Sequence, residues 1–255
     1  MQKRQMKLTA FCHPPGHWRM PGAKPTDMDF EECVHLAQIA ERGKFDMLFF
    51  QDSAAVAPAF YLSGGNAEAL AEAARCVRLE PLTLLAALAT VTKHLGLIAT
   101  VTTSYNDPFN VARKFATIDH ISKGRAGWNL VTSQNVDEAQ NFSHDRHLDH
   151  DLRYDRAQEF YDVVTGLWDS WEDDAIIRDR ATGRYIEASK LHVLNHKGPH
   201  FSVRGPLNVA RPPQGYPIVA QAGPRNPAGR WRRARLTWCS PRRCRWKKRR
   251  LFMPT

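Results

Sequence analysis

Long hydrophobic runs are missing from this chain of 255 residues. Nothing in it approaches the roughly eighteen consecutive apolar residues of a membrane span, and the opening MQKRQMKLTA has basic residues with no apolar stretch behind them. Neither a membrane helix nor a secretory signal is expected, and the expected location is cytoplasmic. Cysteine is scarce and unpatterned: Cys12, Cys33, Cys76, Cys239 and Cys244 include no CxxC or zinc-ribbon spacing. An odd, scattered set suits a reducing compartment. Glycine (15) and proline (16) sit at ordinary levels, with 43% apolar and 24% charged residues. That composition excludes collagen, general disorder and a disulfide scaffold.

Acidic residues are absent from the last tenth of the chain. Ten of the 36 Lys and Arg residues lie between Trp231 and Thr255, so residues 1–230 hold 26 basic against 26 acidic groups. The net charge of +10 therefore belongs to the tail, and residues 1–230 and 231–255 are read as separate units. Trp231, Trp238 and Trp246 interleave with arginines there. Stacking groups beside phosphate-binding ones give a nucleic-acid reading of the tail.

The body alternates strand-like and helical patterns. Lys7–Phe11 reads as a strand. Thr26-Asp27-Met28-Asp29 resembles a capping box before a helix that stops at Gly43. FDMLFFQD, ending on Asp52, LGLIATVTT and RAGWNLVTS read as buried strands, and PIVAQAG as the last one. Pro81 opens one helix. Asn106-Asp107-Pro108 opens another that ends at Lys123-Gly124. The longest helix is expected from about Leu152 to Trp171, and HKGPHFSVRGPLN reads as a hairpin.

Strand-helix repetition implies a parallel sheet, either doubly wound or a (β/α)8 barrel. Asp52, Thr102, Asn129 and Gln221 gather at strand ends, the edge where both architectures hold ligands. No GxGxxG follows the first strand, which weakens the dinucleotide-binding option.

Asp52 ends a buried strand, where a carboxylate is costly unless bonded; its plain alternative is a loop cap. Asn129 sits mid-strand against its propensity, which favours a ligand-facing amide over a core one. His144, His147 and His150 are spaced for a metal, but their polar flanks read as a loop and no metal site is expected. His150 and Tyr154, four residues apart at a helix start, suit an anionic phosphate or ring edge, with solvated loop histidines as the plain alternative. Cys12 reads as a small core residue, since no paired base is visible. His13 and His17 follow the first strand in a Pro- and Gly-rich loop and read, on their own, as loop residues.

GRAGWNLVTS, followed by DHDLRYDRAQEFYDVVTGLWDSW and PIVAQAG, resembles the bacterial-luciferase-like flavin monooxygenases, in the branch of nitrilotriacetate, dibenzothiophene-sulfone and long-chain alkane monooxygenases. KLTAFCHPPGHWRMPGA, FDMLFFQDS, EPLTLLAALATVT and TTSYNDPFNVARKFATIDHISKGRAGWNLVTS match in order, so the likeness covers roughly residues 5–230. It implies a TIM (β/α)8 barrel of luciferase-like type. It implies reduced FMN (FMNH2) delivered by a separate NADH-dependent flavin reductase, and O2 from which one atom enters a small organic substrate, as in xenobiotic degradation. A homodimer is implied for the full-length family.

Carried over residue by residue, the flavin contacts are Asp52, Thr100 or Thr102, Asn129, His150, Tyr154 and the segment after Gly223. His17, Asn129 and His150 are the residues implied beside the reacting atoms. Pro224 stands where the family usually has Ser, removing a hydroxyl and an N–H, and Arg225 offers a compensating charge. Because the cofactor carries the chemistry, the lack of a Ser-His-Asp arrangement or paired carboxylates is expected.

The likeness stops near Arg230. Residues from there on, written in permitted codons and read two bases along, give LAARAADVVFTAAVPLEEAPAFYAD, an amphipathic helix followed by a β-rich run. The expectation is an out-of-frame tail over residues 231–255 behind a barrel with about five of its eight strands. Three readings follow: a monooxygenase subunit impaired by shortening, a non-catalytic barrel fragment, and a nucleic-acid binder acting through its basic tail.

Overall fold

The computed structural model describes residues 6–12, 18–22, 28–56, 68, 71, 77–133 and 135–221. His13, His17, Gly223, Pro224, Arg225 and the tail 231–255 lie outside the described residues.

Strand β1 (Thr9–Cys12) leads to helix α1 (Phe30–Arg42) and β2 (Met47–Phe50). Helix α2 (Pro81–Val91), β3 (Gly96–Thr102), α3 (Pro108–Ser122) and β4 (Ala126–Val131) follow. Then come the short α4 (Asp137–Asn141) and the long α5 (His150–Trp168). Two antiparallel ribbons, β5 (Ile176–Asp179) with β6 (Arg184–Ile186) and β7 (His196–Lys197) with β8 (Ser202–Val203), precede β9 (Ile218–Ala220).

Local chemistry explains the boundaries. Pro81 and Pro108 occupy the first helical turns, while Glu80 and Asp107 accept the free N–H groups behind them. Lys123, left-handed at φ 58°, closes α3 as the Lys-Gly pair predicts. Helix α1 departs from the expected capping box: Asp29 itself is the cap, accepting from the N–H groups of Glu31 and Glu32. Helix α5 starts two residues before and ends three before the expected bounds. Trp171 is off the helix, its indole N–H donating to Leu207 O at 2.7 Å. The β5–β6 ribbon and α4 were not legible in the sequence.

The main sheet is wholly parallel in the order β1-β2-β3-β4-β9. Side chains alternate across it. Leu48, Phe50, Leu97, Ala99, Val101, Trp128 and Leu130 face the helices and join Leu85, Leu88, Phe115, Phe160 and Leu167 in the buried core. Trp128 Nε1 donates to Val101 O at 2.9 Å, which satisfies the buried indole. β3 and β4 approach closely because Gly127 has no side chain: a Cβ there would lie 2.8 Å from Ile98 Cγ1.

The opposite face carries Phe11, Phe49, Thr100, Asn129 and Ala220. A doubly wound sheet needs helices on both faces, and among the described residues the helices pack on the core face. The architecture is that of a TIM barrel with five parallel strands among the described residues in place of eight. β1 and β9 are its edge strands among the described residues, and Leu8 and Phe11 at the β1 edge are 45% and 51% exposed.

Candidate active site at the carboxyl edge of the sheet

Register puts Thr100 of β3 directly beside Asn129 of β4. Thr100 Oγ1 donates to Phe50 O at 2.9 Å and accepts from Asn129 Nδ2 at 2.9 Å, so three strands share one polar line. Asn129 is only 4% exposed, and its Oδ1 is buried without a hydrogen-bond partner among the described residues. An acceptor left so costs about 1–3 kcal/mol unless a ligand donor meets it. One turn toward the rim, Thr102 Oγ1 accepts from Ser133 Oγ at 2.8 Å and from Ser104 N at 3.1 Å.

Asp52 follows β2, and burial pushes its carboxyl up to about 6. The charges of Glu80 and Glu138 add to that, against the Ser53 N–H and Arg78. The next residue, Ser53, donates its hydroxyl to Glu138 Oε1 at 2.7 Å.

Helix α5 brings its first turns to the same rim. The His150 ring lies 4.7 Å from that of Tyr154, centroid to centroid, and its Nδ1 is 3.1 Å from Asp151 Oδ1. Arg153 Nη1 donates to Ser133 O at 2.5 Å, while its Nε is buried and unpaired. Arg156 donates to Thr103 O and stacks 4.6 Å over Phe201. The rim thus offers an orphaned acceptor, a carboxyl held near neutrality, two guanidinium groups and the N-terminus of a long helix, a set suited to a polar ring system carrying an anionic arm.

Residues 6–236 match the model of the luciferase-like monooxygenase family. The chain belongs to that family. Nitrilotriacetate monooxygenase component A of Aminobacter aminovorans is 51% identical over 214 residues, covering 83% of this chain and 47% of that protein. The crystal structure of long-chain alkane monooxygenase superposes with a TM-score of 0.81 at 37% identity, covering 90% of this chain and 54% of the other. A riboflavin lyase solved with modified FMN and riboflavin gives a TM-score of 0.76 at 32% identity, covering 89% of this chain and 51% of the other. The chain spans about half the length of the curated relatives it matches.

Within this luciferase-like frame, Asp52, Thr100, Thr102, Asn129, His150 and Tyr154 all fall at the carboxyl edge. Thr100 and Asn129 are buried on neighbouring strands, Asp52, Thr102 and Tyr154 are half-buried, and His150 is exposed. His17, Gly223 and Arg225 lie outside the described residues. Of the three spaced histidines, His147 and His144 share Tyr105, the first through Nδ1 on its hydroxyl and the second beside its ring at 6.0 Å, while His150 lies on Tyr154. Burial pushes the Cys12 thiol up to about 12, so it is a packed thiol and not a nucleophile.

Sequence reasoning missed Arg153, Arg156 and Glu138. The signal available for the arginines was their three-residue spacing on the helix that carries Tyr154. A separate cleft of about 360 Å³ lies at the opposite, amino edge, lined by Asp46, Gly96, Arg125 and Gln214. Its charged groups are consumed in structural bonds: Arg125 feeds backbone carbonyls and Glu41 caps Lys93, His94 and Leu95.

Proposed function

We propose that the chain is the oxygenase component of a two-component system, using FMNH2 from a separate NADH-dependent reductase to insert one atom of O2 into a small organic substrate. The observation that carries this reading is the orphaned Asn129 Oδ1, a buried acceptor beside the carboxyl ends of β3 and β4 with no partner among the described residues. An isoalloxazine ring N–H would satisfy it. Reduced flavin, when bound, supplies the electrons that activate O2.

The remaining tasks belong to the chain. Asn129 and Thr100 orient the ring edge, and Asp52 at the end of β2 presents a carboxyl with a proton close to balance near pH 6. Arg153, His150 and Tyr154 serve the anionic arm at the α5 terminus. The Phe11–Phe49 stack, with centroids 5.1 Å apart, gives the face an apolar patch on which a ring can lie. Family membership and the likeness to a riboflavin lyase holding modified FMN support the flavin. The relative named component A supports a reductase partner.

A second reading, a flavin-binding barrel unit without turnover, is favoured by β1 and β9 being edge strands among the described residues. The test is FMN titration of the purified chain, followed by oxygen uptake with a flavin reductase and NADH. Saturable FMN binding with substrate-dependent uptake supports the first reading, binding without uptake the second, and no binding refutes both.

A further inference from the structure

The loop after β2 is held from below by groups that no motif announced. Ser53 Oγ donates to Glu138 Oε1 at 2.7 Å and accepts from Asn135 Nδ2 at 3.4 Å, and Asn141 Nδ2 donates to Ala54 O at 2.8 Å. Glu138 is 4% exposed, so it is a buried carboxylate committed to this bond. The line continues outward. His147 Nε2 faces Asn135 O at 2.5 Å, and a carbonyl only accepts, so Nε2 carries the proton and Nδ1 accepts from the Tyr105 hydroxyl. Donors thus run from the loop after β3, through the segments after β4, to the loop after β2, where Glu138 terminates them.

We propose that Glu138 is a positioning residue of this rim: by accepting the Ser53 hydroxyl it fixes residues 51–56 and sets how Asp52 presents its carboxyl to the flavin. This rests on reading Asp52 as a flavin contact. The bond is adjacent to Asp52 in the chain, and the acceptor is a charge that Asp52 feels. The groups facing Asp52 are the Ser53 N–H, Arg78 and Glu80 before α2, and Glu138 on α4. Burial dominates, and Glu138 reinforces it by repulsion.

The test follows Asp52 directly, by carboxyl-carbon NMR on the full-length chain between about pH 4 and pH 8, with thermal melts and FMN titrations alongside. Glu138→Gln keeps an oxygen to accept from Ser53 but removes the charge, so the Asp52 midpoint falls measurably below about 6, burial still holding it above its ordinary value, with the melt little changed. Ser53→Ala releases the segment, lowers the midpoint and weakens FMN binding by roughly threefold to tenfold, about 0.7–1.4 kcal/mol; Ser53→Thr restores both.

An Asp52 midpoint that stays near 6 in Glu138→Gln and Ser53→Ala overturns the proposal. If Glu138→Gln does not fold, the Ser53 pair decides alone. A wild-type chain that binds no FMN overturns the flavin reading, while the Asp52 titration still judges the positioning role.

Discussion

Asn129 Nδ2 donates to Thr100 Oγ1 at 2.9 Å across the β3–β4 ladder, and Asn129 Oδ1, in the same amide, meets no donor among the described residues. A folded core rarely leaves a buried acceptor so. An apolar side chain of similar shape removes the orphaned oxygen, and Thr100 still donates its hydroxyl to Phe50 O, so the lost bond is offset and no buried donor is left unmet. Asn129→Leu is therefore expected to change unfolding free energy by less than about 1 kcal/mol while weakening FMN binding tenfold or more. Denaturant melts and flavin fluorescence measure the two effects. A stability loss with unchanged flavin affinity would make Asn129 a core amide.

Asp52 sets a pH signature. Its carboxyl is raised from 3.8 to about 6 chiefly by burial, so ionising it opposes the folded state. The contribution of a raised group is fully present below its unfolded value and is lost as pH rises through its folded one. The wild-type chain should lose stability relative to Asp52→Asn across about pH 4 to 6, and the gap should then stay level. Parallel urea melts of the two chains across this range read it. A flat difference across the window would refute the assignment.

Arg125 is the structural counterpart at the amino edge. Its Nη1 donates to Leu95 O at 2.7 Å and Thr92 Oγ1 at 2.9 Å, its Nη2 to Ala89 O at 2.9 Å and Thr92 O at 3.0 Å, and its Nε to Ser122 O at 2.7 Å. One guanidinium thereby closes the end of α2 and ties it to the end of α3. Lysine cannot reproduce this fork. Arg125→Ala should cost about 3 kcal/mol and Arg125→Lys about half of that, since either change leaves partly buried carbonyls unmet. Thermal denaturation would check the ordering of the two variants.

What was legible in the sequence follows one physical rule. Pro81, Pro108, Asp107 and the Lys123-Gly124 pair announce helix ends because their chemistry acts within one turn. Continuous apolar runs marked β2, β3, β4 and β9, and Lys7–Phe11 read as a short strand where β1 lies at the sheet edge. Thr26 and Asp29 are both acceptable caps, and only the tertiary position of α1 chooses between them. The β5–β6 ribbon stayed hidden because strands exposed on both faces carry no apolar alternation.

The site divides the same way. Asp52, Thr102 and Asn129 were read toward strand ends, where topology assigns a ligand edge, while Thr100 came from the family likeness. Arg153, Arg156 and Glu138 answer to partners 20, 53 and 85 residues away in the chain, and no local pattern encodes such a pairing.

The hairpin of β7 and β8 is clamped to α5 by a single carboxylate. Glu159 Oε1 lies 2.8 Å from His196 Nε2 and accepts from Phe201 N at 2.9 Å, while Oε2 accepts from His200 N at 3.0 Å. Burial alone would push this carboxyl up, but the three donors hold it below its ordinary range. Its stabilising contribution is therefore present above its unfolded value of 4.5 and is lost as pH falls below it. Gly198 is what lets the chain come so close: a Cβ there would lie 2.2 Å from Glu159 Oε1 and 2.9 Å from His196 Nε2. Gly198→Ala must displace the Glu159 carboxylate and the His196 ring and so break the clamp, at a cost of about 1–3 kcal/mol. Amide hydrogen exchange at His200 and Phe201 should speed up in that variant and, in the wild-type chain, lose protection under acid. Unchanged protection in both cases would mean that apolar packing of Phe201 on Phe160, not the carboxylate, holds the hairpin down.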